Sequence, residues 1–332
     1  MTKYISEIAS SHTGDPKLIE KISQLHCQSN SDYLKYQIFK TENLFSKKNK
    51  KFPNFKKIEV GFKKWENLIN KFSAKTKIVL EPFDEESYKF CKKFKNKSLI
   101  KISSSEADNF NLIIDAVKNF KKVFLNISGL SQSDIEKITL ILKKKSIRKK
   151  IVLMYGFQSY PTVVNDLRLN LFNYFKKKGF EFGYADHTEF GISKKLIDIC
   201  SKIKNSFKCK YIEKHVCYDL KKKPNDYITS INMKDMDEFI EKINKKKKDR
   251  LNFKFKKDIS YKEKKYFLNF SKFGFLKKNL QKGSIVSEDD LTFLRSSSKK
   301  KGITRLNIFG NKLILKKSLK KGNQLFPNFV SF

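Results

Sequence analysis

The sequence predicts an α/β protein made of one (β/α)₈ TIM barrel followed by a small β-rich module. Three observations carry this prediction. Short β-branched or aromatic runs alternate eight times with longer, mostly amphipathic stretches, and such alternation is typical of a closed parallel barrel. The alternation stops near residue 245 of 332, which is the usual length of a barrel, about 250 residues. The residues that follow have a different sequence pattern, in which short apolar runs alternate with turn residues.

The eight short apolar runs are predicted to be the barrel strands. Helical patterns separate most of them. Pro16–Cys27 has apolar residues at helical spacing, and Ser131–Leu142 opens with a serine cap and acidic residues in its first turns. The predicted strands are Tyr4–Ala9, Tyr33–Gln37, Lys77–Glu81, Leu99–Ser103, Lys122–Asn126, Lys150–Tyr155, Phe180–Ala185 and Lys210–His215.

Three segments are predicted along the chain. Residues 1–245 form the barrel, residues 246–266 form a Lys-rich linker, and residues 267–332 form the β-rich module. The module contains two similar units, KNLQKGSIVSEDDL and LKKSLKKGNQLF. Each has a Lys-Gly pair next to apolar residues, a pattern typical of hairpins.

The composition excludes several classes of protein. A hydrophobic fraction of 39% with 31 Phe supports a real core and excludes a disordered chain. No apolar run approaches the roughly 18 residues of a transmembrane helix, so we expect no membrane partner. The first residues, MTKYISEIAS, lack the pattern of a secretory signal, and the five cysteines are scattered without CxxC spacing. We therefore expect reduced thiols and a cytoplasmic location.

The charge has two interpretations. Lys and Arg number 73 against 34 Asp and Glu, a formal net charge of +39, which favours a polyanionic partner. However, only five of these residues are Arg, and the Lys residues are spread along the whole chain. Proteins that recognise specific nucleic-acid sequences use mainly Arg for this purpose. In addition, abundant Phe, Ile, Asn and Lys are expected where the coding sequence is rich in A+T. Compositional drift and a functional polyanion surface both stay open, and we predict no specific nucleic-acid partner.

Two histidines lie at the ends of neighbouring predicted strands. In a barrel of this kind the carboxyl ends of the strands face one shared site. His187 lies two residues after the predicted end of the seventh strand, and His215 ends the eighth. Adjacent strands lie about 5 Å apart. Both imidazoles could therefore bind one divalent cation, with water and substrate oxygens completing its shell. The alternative is two polar residues at the barrel mouth without a metal.

Two lysines stand inside apolar strands, in YLKYQIF and LIKISSS. A lysine that points into the barrel mouth is costly unless it meets an anion. Lys35 and Lys101 therefore indicate a phosphate or carboxylate ligand, unless they face outward between helices. Gln37 lies two residues after Lys35 and shares its face. Ser103–Ser105 could add donors to the same anion, although serine runs are also ordinary loops.

Three carboxylates complete the candidate site. Glu7 and Glu106 follow or end predicted strands, where they could move protons or bind sugar hydroxyls. They could equally pair with the two lysines, which does not exclude a function. Asp226, in the motif KPNDY, could bind a polyol or serve only in a turn.

A set of motifs resembles one known family. The segments EIASSHTGD, LKYQIF, EPF, IKISSSE, SYPT, GYADHT and IEKHV occur in this order. Together they resemble the sialic acid (N-acetylneuraminate) synthase family, including its legionaminic and pseudaminic acid synthase branches. LKKNLQKGSIVSEDDLTFLR and GNKLILKKSLKKGNQLF resemble the antifreeze-like (SAF) domain of that family. The resemblance covers nearly the whole chain apart from the linker.

The resemblance implies a transferase that condenses phosphoenolpyruvate with an N-acyl hexosamine, such as N-acetylmannosamine, to give a nonulosonic acid and phosphate. It implies a divalent metal, Mn²⁺ or Mg²⁺, on His187 and His215, and Glu7 as the acid/base carboxylate. It assigns Lys35, Lys101, Ser104 and Gln158 to phosphoenolpyruvate. It assigns to the sugar Gln37, Glu106, Tyr160, Asp226 and Arg295. Because the matching arginine reaches into a partner's site, it also implies a domain-swapped homodimer.

Four positions depart from the family pattern. Glu81 replaces a small hydroxyl residue, Ile127 opens the Ser-Thr-Gly motif, Gln158 replaces an Asn, and Ala185 replaces a Ser. A carboxylate at position 81 would repel an anionic ligand unless a lysine or the metal compensates. The alternative function is therefore a catalytically altered or inactive member of the family that binds sugars or has a structural role in surface-polysaccharide biosynthesis.

Overall fold

The first eight strands form a closed parallel barrel. In this computed structural model, which describes residues 1–246, 258–298 and 300–332, each strand pairs with the next and β1 also pairs with β8. The predicted barrel is confirmed, and a ninth strand adds to the outer part of β8. The strands are β1 (Lys3–Glu7), β2 (Tyr33–Ile38), β3 (Lys77–Pro82), β4 (Ser98–Ile102), β5 (Val123–Asn126), β6 (Ile151–Tyr155), β7 (Glu181–Asp186), β8 (Tyr211–Cys217), β9 (Ser230–Asn232), β10 (Lys272–Leu276), β11 (Ile285–Val286), β12 (Leu291–Arg295), β13 (Leu313–Leu315) and β14 (Val330–Ser331).

Helices connect the barrel strands and surround them. Both helices predicted individually are confirmed, and a side chain caps each one. The Asp15 carboxylate accepts from the Lys17 amide at 2.8 Å, and the Ser131 hydroxyl, which was the predicted cap, accepts from the Asp134 amide at 3.1 Å. The helices are α1 (Pro16–His26), α2 (Thr41–Leu44), α3 (Phe52–Ile58), α4 (Phe62–Ser73), α5 (Glu85–Lys92), α6 (Phe110–Asn119), α7 (Gln132–Lys144), α8 (Asn170–Lys178), α9 (Lys194–Phe207), α10 (Met236–Lys245), α11 (Tyr261–Phe270) and α12 (Arg305–Ile308).

Side chains inside the barrel form two layers of opposite character. Successive strand residues point alternately inward and outward, and the outward ones pack against the helices in the main core. The inner layer nearer the amino ends is apolar and consists of Ile5, Tyr33, Val79, Phe124, Val152, Met154, Ala185 and Tyr211. The next inward positions toward the carboxyl ends carry charges, so the same alternation that fills the barrel also places polar groups at its mouth.

The C-terminal module is β-rich, as predicted, but its two Lys-Gly units are not separate hairpins. Each unit contains a turn, closed by the Ser284 amide on the Gln281 carbonyl and by the Asn323 amide on the Lys320 carbonyl. The strands beside the turns pair between the units, since β11 pairs with β13 and Leu280 bridges Leu319. The two units complete each other because neither alone buries its apolar residues, which meet in one small core.

Helix α11 (Tyr261–Phe270) crosses the predicted boundary between the linker and the C-terminal module at residues 266 and 267. The part of that linker at residues 247–257 lies outside the described residues, whereas α11 is a regular helix capped by the Ser260 hydroxyl, which accepts from the Glu263 amide. The helix lies against the barrel mouth, so its residues belong to the description of the site.

Among the described residues, no helix is both long and apolar enough to span a membrane.

Candidate active site

The floor of the barrel mouth is a buried cluster of two lysines and three glutamates. Lys35 Nζ lies 2.7 Å from Glu7, 2.8 Å from Glu81 and 3.0 Å from Glu213. Lys101 Nζ lies 2.5 Å from Glu213 Oε1 and 3.9 Å from Glu81 Oε1. All five side chains are at most 4% exposed. The cluster contains three carboxyl groups and two amino groups, so its net charge is negative when every group is ionised.

Within this floor, Lys35 and Glu7 stabilise each other's charged form. Burial alone would lower the pKa of Lys35, but attraction to Glu213, Glu7 and Glu81 outweighs it and raises that pKa well above its ordinary value. Burial would raise the pKa of Glu7, yet Lys35 and His215 hold it well below its usual range. In contrast to Glu7, the pKa of Glu213 is raised, by burial and by the neighbouring Glu7 carboxylate. The floor is therefore a pre-formed ionic network.

Two histidines lie side by side above the floor. The ring centroids of His187 and His215 are 5.1 Å apart. His187 Nδ1 donates to the Phe157 carbonyl at 3.0 Å, and His215 Nδ1 lies 3.0 Å from the Thr229 hydroxyl. That hydroxyl can donate to the Asp226 carbonyl at 3.2 Å, so it accepts from the imidazole. When either ring is neutral, Nε2 is therefore the nitrogen with the free lone pair.

The surroundings shift the pKa values of the two rings in opposite directions. Burial, helped by the neighbouring His215, lowers the pKa of His187 to about 3, so this imidazole is neutral. Burial would also lower the pKa of His215, but the Glu7 carboxylate, 3.5 Å from Nε2, outweighs it and raises that pKa. A divalent cation near Glu7 would favour the neutral ring instead.

The donor set fits a cation with two protein ligands. Hydrogen bonds at Nδ1 are the usual means of orienting a metal-binding imidazole, and both rings have one. Among the described residues, no cluster of three or more His, Cys, Asp or Glu side chains could hold a metal ion. Further ligands would have to be water or substrate oxygens, as the sequence predicts.

A cavity of about 390 Å³ lies above the floor, and most of the predicted site residues line it. Its polar wall includes the two histidines, and an apolar wall is formed by Phe39, Phe55, Ile58, Phe83 and Phe270. Lys35, which was predicted to contact phosphoenolpyruvate, belongs to the floor but has no exposed surface and does not line the cavity, because three glutamates surround its ammonium group. The predicted residues that line the cavity are Glu7, Gln37, Lys101, Ser104, Gln158, Tyr160, His187, His215, Asp226 and Arg295.

Several of these side chains are held by specific contacts. Gln37 Nε2 donates to Glu7 Oε1 at 2.6 Å, which fixes the carboxylate. Tyr160 packs edge-on against His187, with ring centroids 4.7 Å apart. The Asp226 carboxylate accepts from the Ser10 amide at 2.9 Å. These contacts between protein groups fix the orientation of the polar wall, as pre-organised sites require.

Glu106, predicted to contact the sugar, does not line the cavity. Its carboxylate accepts from Lys272 Nζ at 2.5 Å and from Arg305 Nη1 at 3.0 Å. Both partners belong to the C-terminal module. Burial would raise the pKa of Glu106, but the two cations lower it to about 2. The glutamate points toward the module because two buried cations there need a counter-ion, and it joins the module to the barrel.

Arg295 lines the cavity of its own chain, whereas the resemblance implied a partner's site. It ends β12, and its guanidinium carbon lies 5.3–5.7 Å from the ring centroids of four phenylalanines: Phe45, Phe55, Phe83 and Phe270. Burial lowers the pKa of Arg295 to about 10, so it stays charged at neutral pH. The module reaches this position because Glu106 holds Lys272, the residue paired with Arg295 in the β10–β12 ladder.

Glu213, Tyr266 and Phe270 are among the cavity residues that were not assigned from the sequence. Glu213 shares the inward face of β8 with His215, two residues later, so strand alternation would have found it. Tyr266 and Phe270 come from α11. They lie one helical turn apart. The many lysines around them make this segment look like a linker, so the sequence does not indicate its aromatic residues as part of a site.

Comparisons with known proteins identify the family. The sequence profile of the NeuB family matches residues 22–252, most of the chain and nearly all of the barrel. The chain belongs to the NeuB family. This confirms the resemblance to sialic acid synthases, because a relative of this NeuB-family chain, N,N'-diacetyllegionaminic acid synthase of Campylobacter jejuni, is 27% identical over 317 residues. The match covers 90% of this chain and 91% of the relative.

Solved structures support the fold of this NeuB-family chain. The spore coat polysaccharide biosynthesis protein SpsE of Bacillus subtilis has a TM-score of 0.79 at 18% identity, covering 100% of this chain and 95% of that one. N-acetylneuraminic acid synthetase of Leptospira borgpetersenii, in complex with citrate, has a TM-score of 0.64 at 24% identity, covering 73% and 82%. The first match includes the C-terminal module as well as the barrel.

Proposed function

We propose that this NeuB-family chain is a nonulosonic acid synthase that condenses phosphoenolpyruvate with an N-acyl hexosamine. The observation that carries the proposal is the convergence of His187, His215 and Lys101 at one cavity, whose buried floor also contains Lys35. The family supports the reaction class, and the diacetyllegionaminic acid synthase that resembles this chain supports an acylated amino sugar as the acceptor.

Phosphoenolpyruvate would bind above Lys101. The turn after β4 carries three serines, of which Ser103 and Ser105 bond to each other at 2.8 Å, and Ser104 faces the cavity beside them. Gln158 lies on the same cavity wall. An ammonium group with hydroxyl and amide donors suits a phosphate or carboxylate group. Lys35, below, would act through the glutamates and stabilise the charge of the floor.

A divalent cation, Mn²⁺ or Mg²⁺, would be held by the Nε2 atoms of His187 and His215. When bound, it supplies the polarisation of the sugar aldehyde that makes its carbon electrophilic. The chain's own contribution is the orientation of the two imidazoles by the Phe157 carbonyl and the Thr229 hydroxyl. Tyr160 packs against both rings and limits their movement.

The sugar would occupy the side of the cavity lined by Gln37, Tyr160, Asp226 and Arg295. Gln37 keeps one amide oxygen for a hydroxyl while its nitrogen is bonded to Glu7. Arg295 lines the cavity and is surrounded by phenylalanine rings. Its positive charge there favours the binding of a carbonyl or another oxygen acceptor. An N-acyl group offers such a carbonyl next to an apolar methyl.

Glu7 is the proton-handling group in this proposal. The methylene carbon of phosphoenolpyruvate forms a bond to the aldehyde carbon, whose oxygen takes up a proton. Water adds to the cationic C2, loses a proton, and the resulting tetrahedral species breaks its C–O bond to release phosphate. The Glu7 carboxylate is fixed by Gln37 and Lys35 and lines the cavity, so it is placed to accept the proton of the attacking water.

A second candidate function is a sugar-binding or structural family member without synthase activity. The observation that favours it is Glu81, a third carboxylate among the groups that should attract an anion. The homodimer implied by the resemblance stays a prediction.

The test is release of phosphate. Purified protein is incubated with phosphoenolpyruvate, Mn²⁺ and a panel of N-acyl hexosamines, and phosphate is measured over time. We expect release that depends on one class of sugar and is lost in Glu7→Gln. The absence of release with every sugar favours the second candidate.

A further inference from the structure

Glu81 occupies the space between the two lysines of the floor. It lies on β3, where it pairs with Gln37 of β2, and its side chain lines the cavity. Its Oε2 atom is 2.8 Å from Lys35 Nζ, and its Oε1 atom is 3.9 Å from Lys101 Nζ. The side chain is about 4% exposed. One carboxylate thus contacts one lysine and approaches the second, as a bound anion would.

The other glutamates already neutralise both lysines. Lys35 contacts Glu7 and Glu213, and Lys101 contacts Glu213 at 2.5 Å. Two carboxylates and two ammonium groups balance without Glu81, so the third carboxylate is not needed to satisfy the buried cations. It adds a negative charge at the place where an anionic ligand would have to approach Lys101.

We propose that Glu81 is an internal counter-ion that competes with the anionic substrate for Lys101 and so weakens its binding. This inference rests on the proposed function only for the identity of the anion, phosphoenolpyruvate. The energetic reason is Coulombic, because two like charges a few ångströms apart in a buried site repel strongly. Glu81 is therefore a residue that determines affinity and specificity: its negative charge, 3.9 Å from Lys101, selects against anions that bind Lys101 too weakly to overcome the repulsion.

The experiment measures anion binding directly and needs no turnover. Dissociation constants for phosphoenolpyruvate and for inorganic phosphate are measured by calorimetry without added metal or sugar. The proteins are the wild type, Glu81→Gln, Glu81→Asp and the surface control Glu85→Gln. Glu85 is the fourth residue after Glu81 and has a side chain that is 77% exposed, so its removal changes the net charge equally without touching the floor.

We expect Glu81→Gln to bind both anions at least about tenfold more tightly than the wild type. Glu81→Asp, which keeps the charge, and Glu85→Gln should each stay within about twofold of the wild type. Because Glu7 and Glu213 remain with the lysines, the variant should fold, which its melting curve checks. If Glu81→Gln does not fold, Glu81→Thr is measured in its place and should bind more tightly in the same way.

Equal or weaker anion binding by a folded Glu81→Gln or Glu81→Thr protein overturns the inference. An equal gain in Glu85→Gln also overturns it, since net charge alone would then explain the effect. The proposed function fails separately. If no sugar supports phosphate release but the Glu81 variant binds phosphate more tightly, the inference stands and the synthase proposal falls.

Discussion

His187 and His215 place their imidazole rings 5.1 Å apart at the carboxyl ends of neighbouring strands, and each ring has its Nδ1 atom bonded to another part of the protein. The pair is therefore oriented before any ligand arrives. A site with two fixed nitrogens and a lining of oxygen donors suits a divalent cation that takes its other ligands from water and substrate.

Loss of either imidazole should remove both metal binding and turnover. His187→Ala or His215→Ala is expected to bind Mn²⁺ too weakly to detect by calorimetry and to lose at least about 10³-fold in kcat. The circular dichroism spectrum should be unchanged. A matched control is His26→Gln, since His26 is buried against Thr76 away from the cavity. Full activity of either alanine variant, or of wild type with a strong chelator, contradicts the role assigned to the pair.

The contact between the barrel and the module should depend on Glu106. Removing its charge leaves Lys272 and Arg305 without their shared buried partner, which typically costs about 3–5 kcal/mol. We expect Glu106→Gln to lower the free energy of unfolding of the module by this order in urea titrations. The control is Glu288→Gln, which removes a 41% exposed partner of Arg305 and should cost less than about 1 kcal/mol. Equal effects of the two variants would show that Glu106 is not the anchor.

Arg295 should act on the cavity of its own chain. We expect mixtures of Arg295→Ala and Glu7→Ala subunits to stay inactive, because neither chain then has a complete cavity. The measurement is phosphate release after the two proteins have been unfolded and refolded together, with each variant refolded alone as the control. Recovery of activity in the mixture would show that arginines are exchanged between subunits.

Folding stability should decrease as the pH falls from 6.5 to 4. Burial lowers the pKa values of His12 and His26 from 6.5 to about 4, so in this range the unfolded chain binds more protons than the folded one. The sign is therefore destabilising toward acid, and each histidine should account for roughly 2–3 kcal/mol. Urea titrations across this range measure it. The slope should be smaller in His26→Gln, and an unchanged slope in that variant would contradict the contribution of His26.

Much of the barrel could be predicted from the sequence because its signal is local. Each strand is a short apolar run, and Lys35 and Gln37 are two residues apart and must share a face. The sharing of Lys35 by three glutamates could not be predicted, because it depends on the register between β1, β2, β3 and β8. The orientation of the Glu106 side chain could not be predicted either, because its partner Lys272 belongs to a module more than 160 residues later in the chain.

The most direct test of the synthase proposal follows the carbon atoms. Phosphoenolpyruvate labelled with ¹³C at its three carbons is incubated with the protein, Mn²⁺ and the sugars of the panel, and products are analysed by mass spectrometry. We expect a nine-carbon 2-keto acid, or its acylated form, that carries all three labelled carbons, together with one phosphate per product. Phosphate without a labelled sugar acid, or no reaction with any acceptor, would contradict the proposal that this floor of lysines, glutamates and histidines forms a carbon–carbon bond.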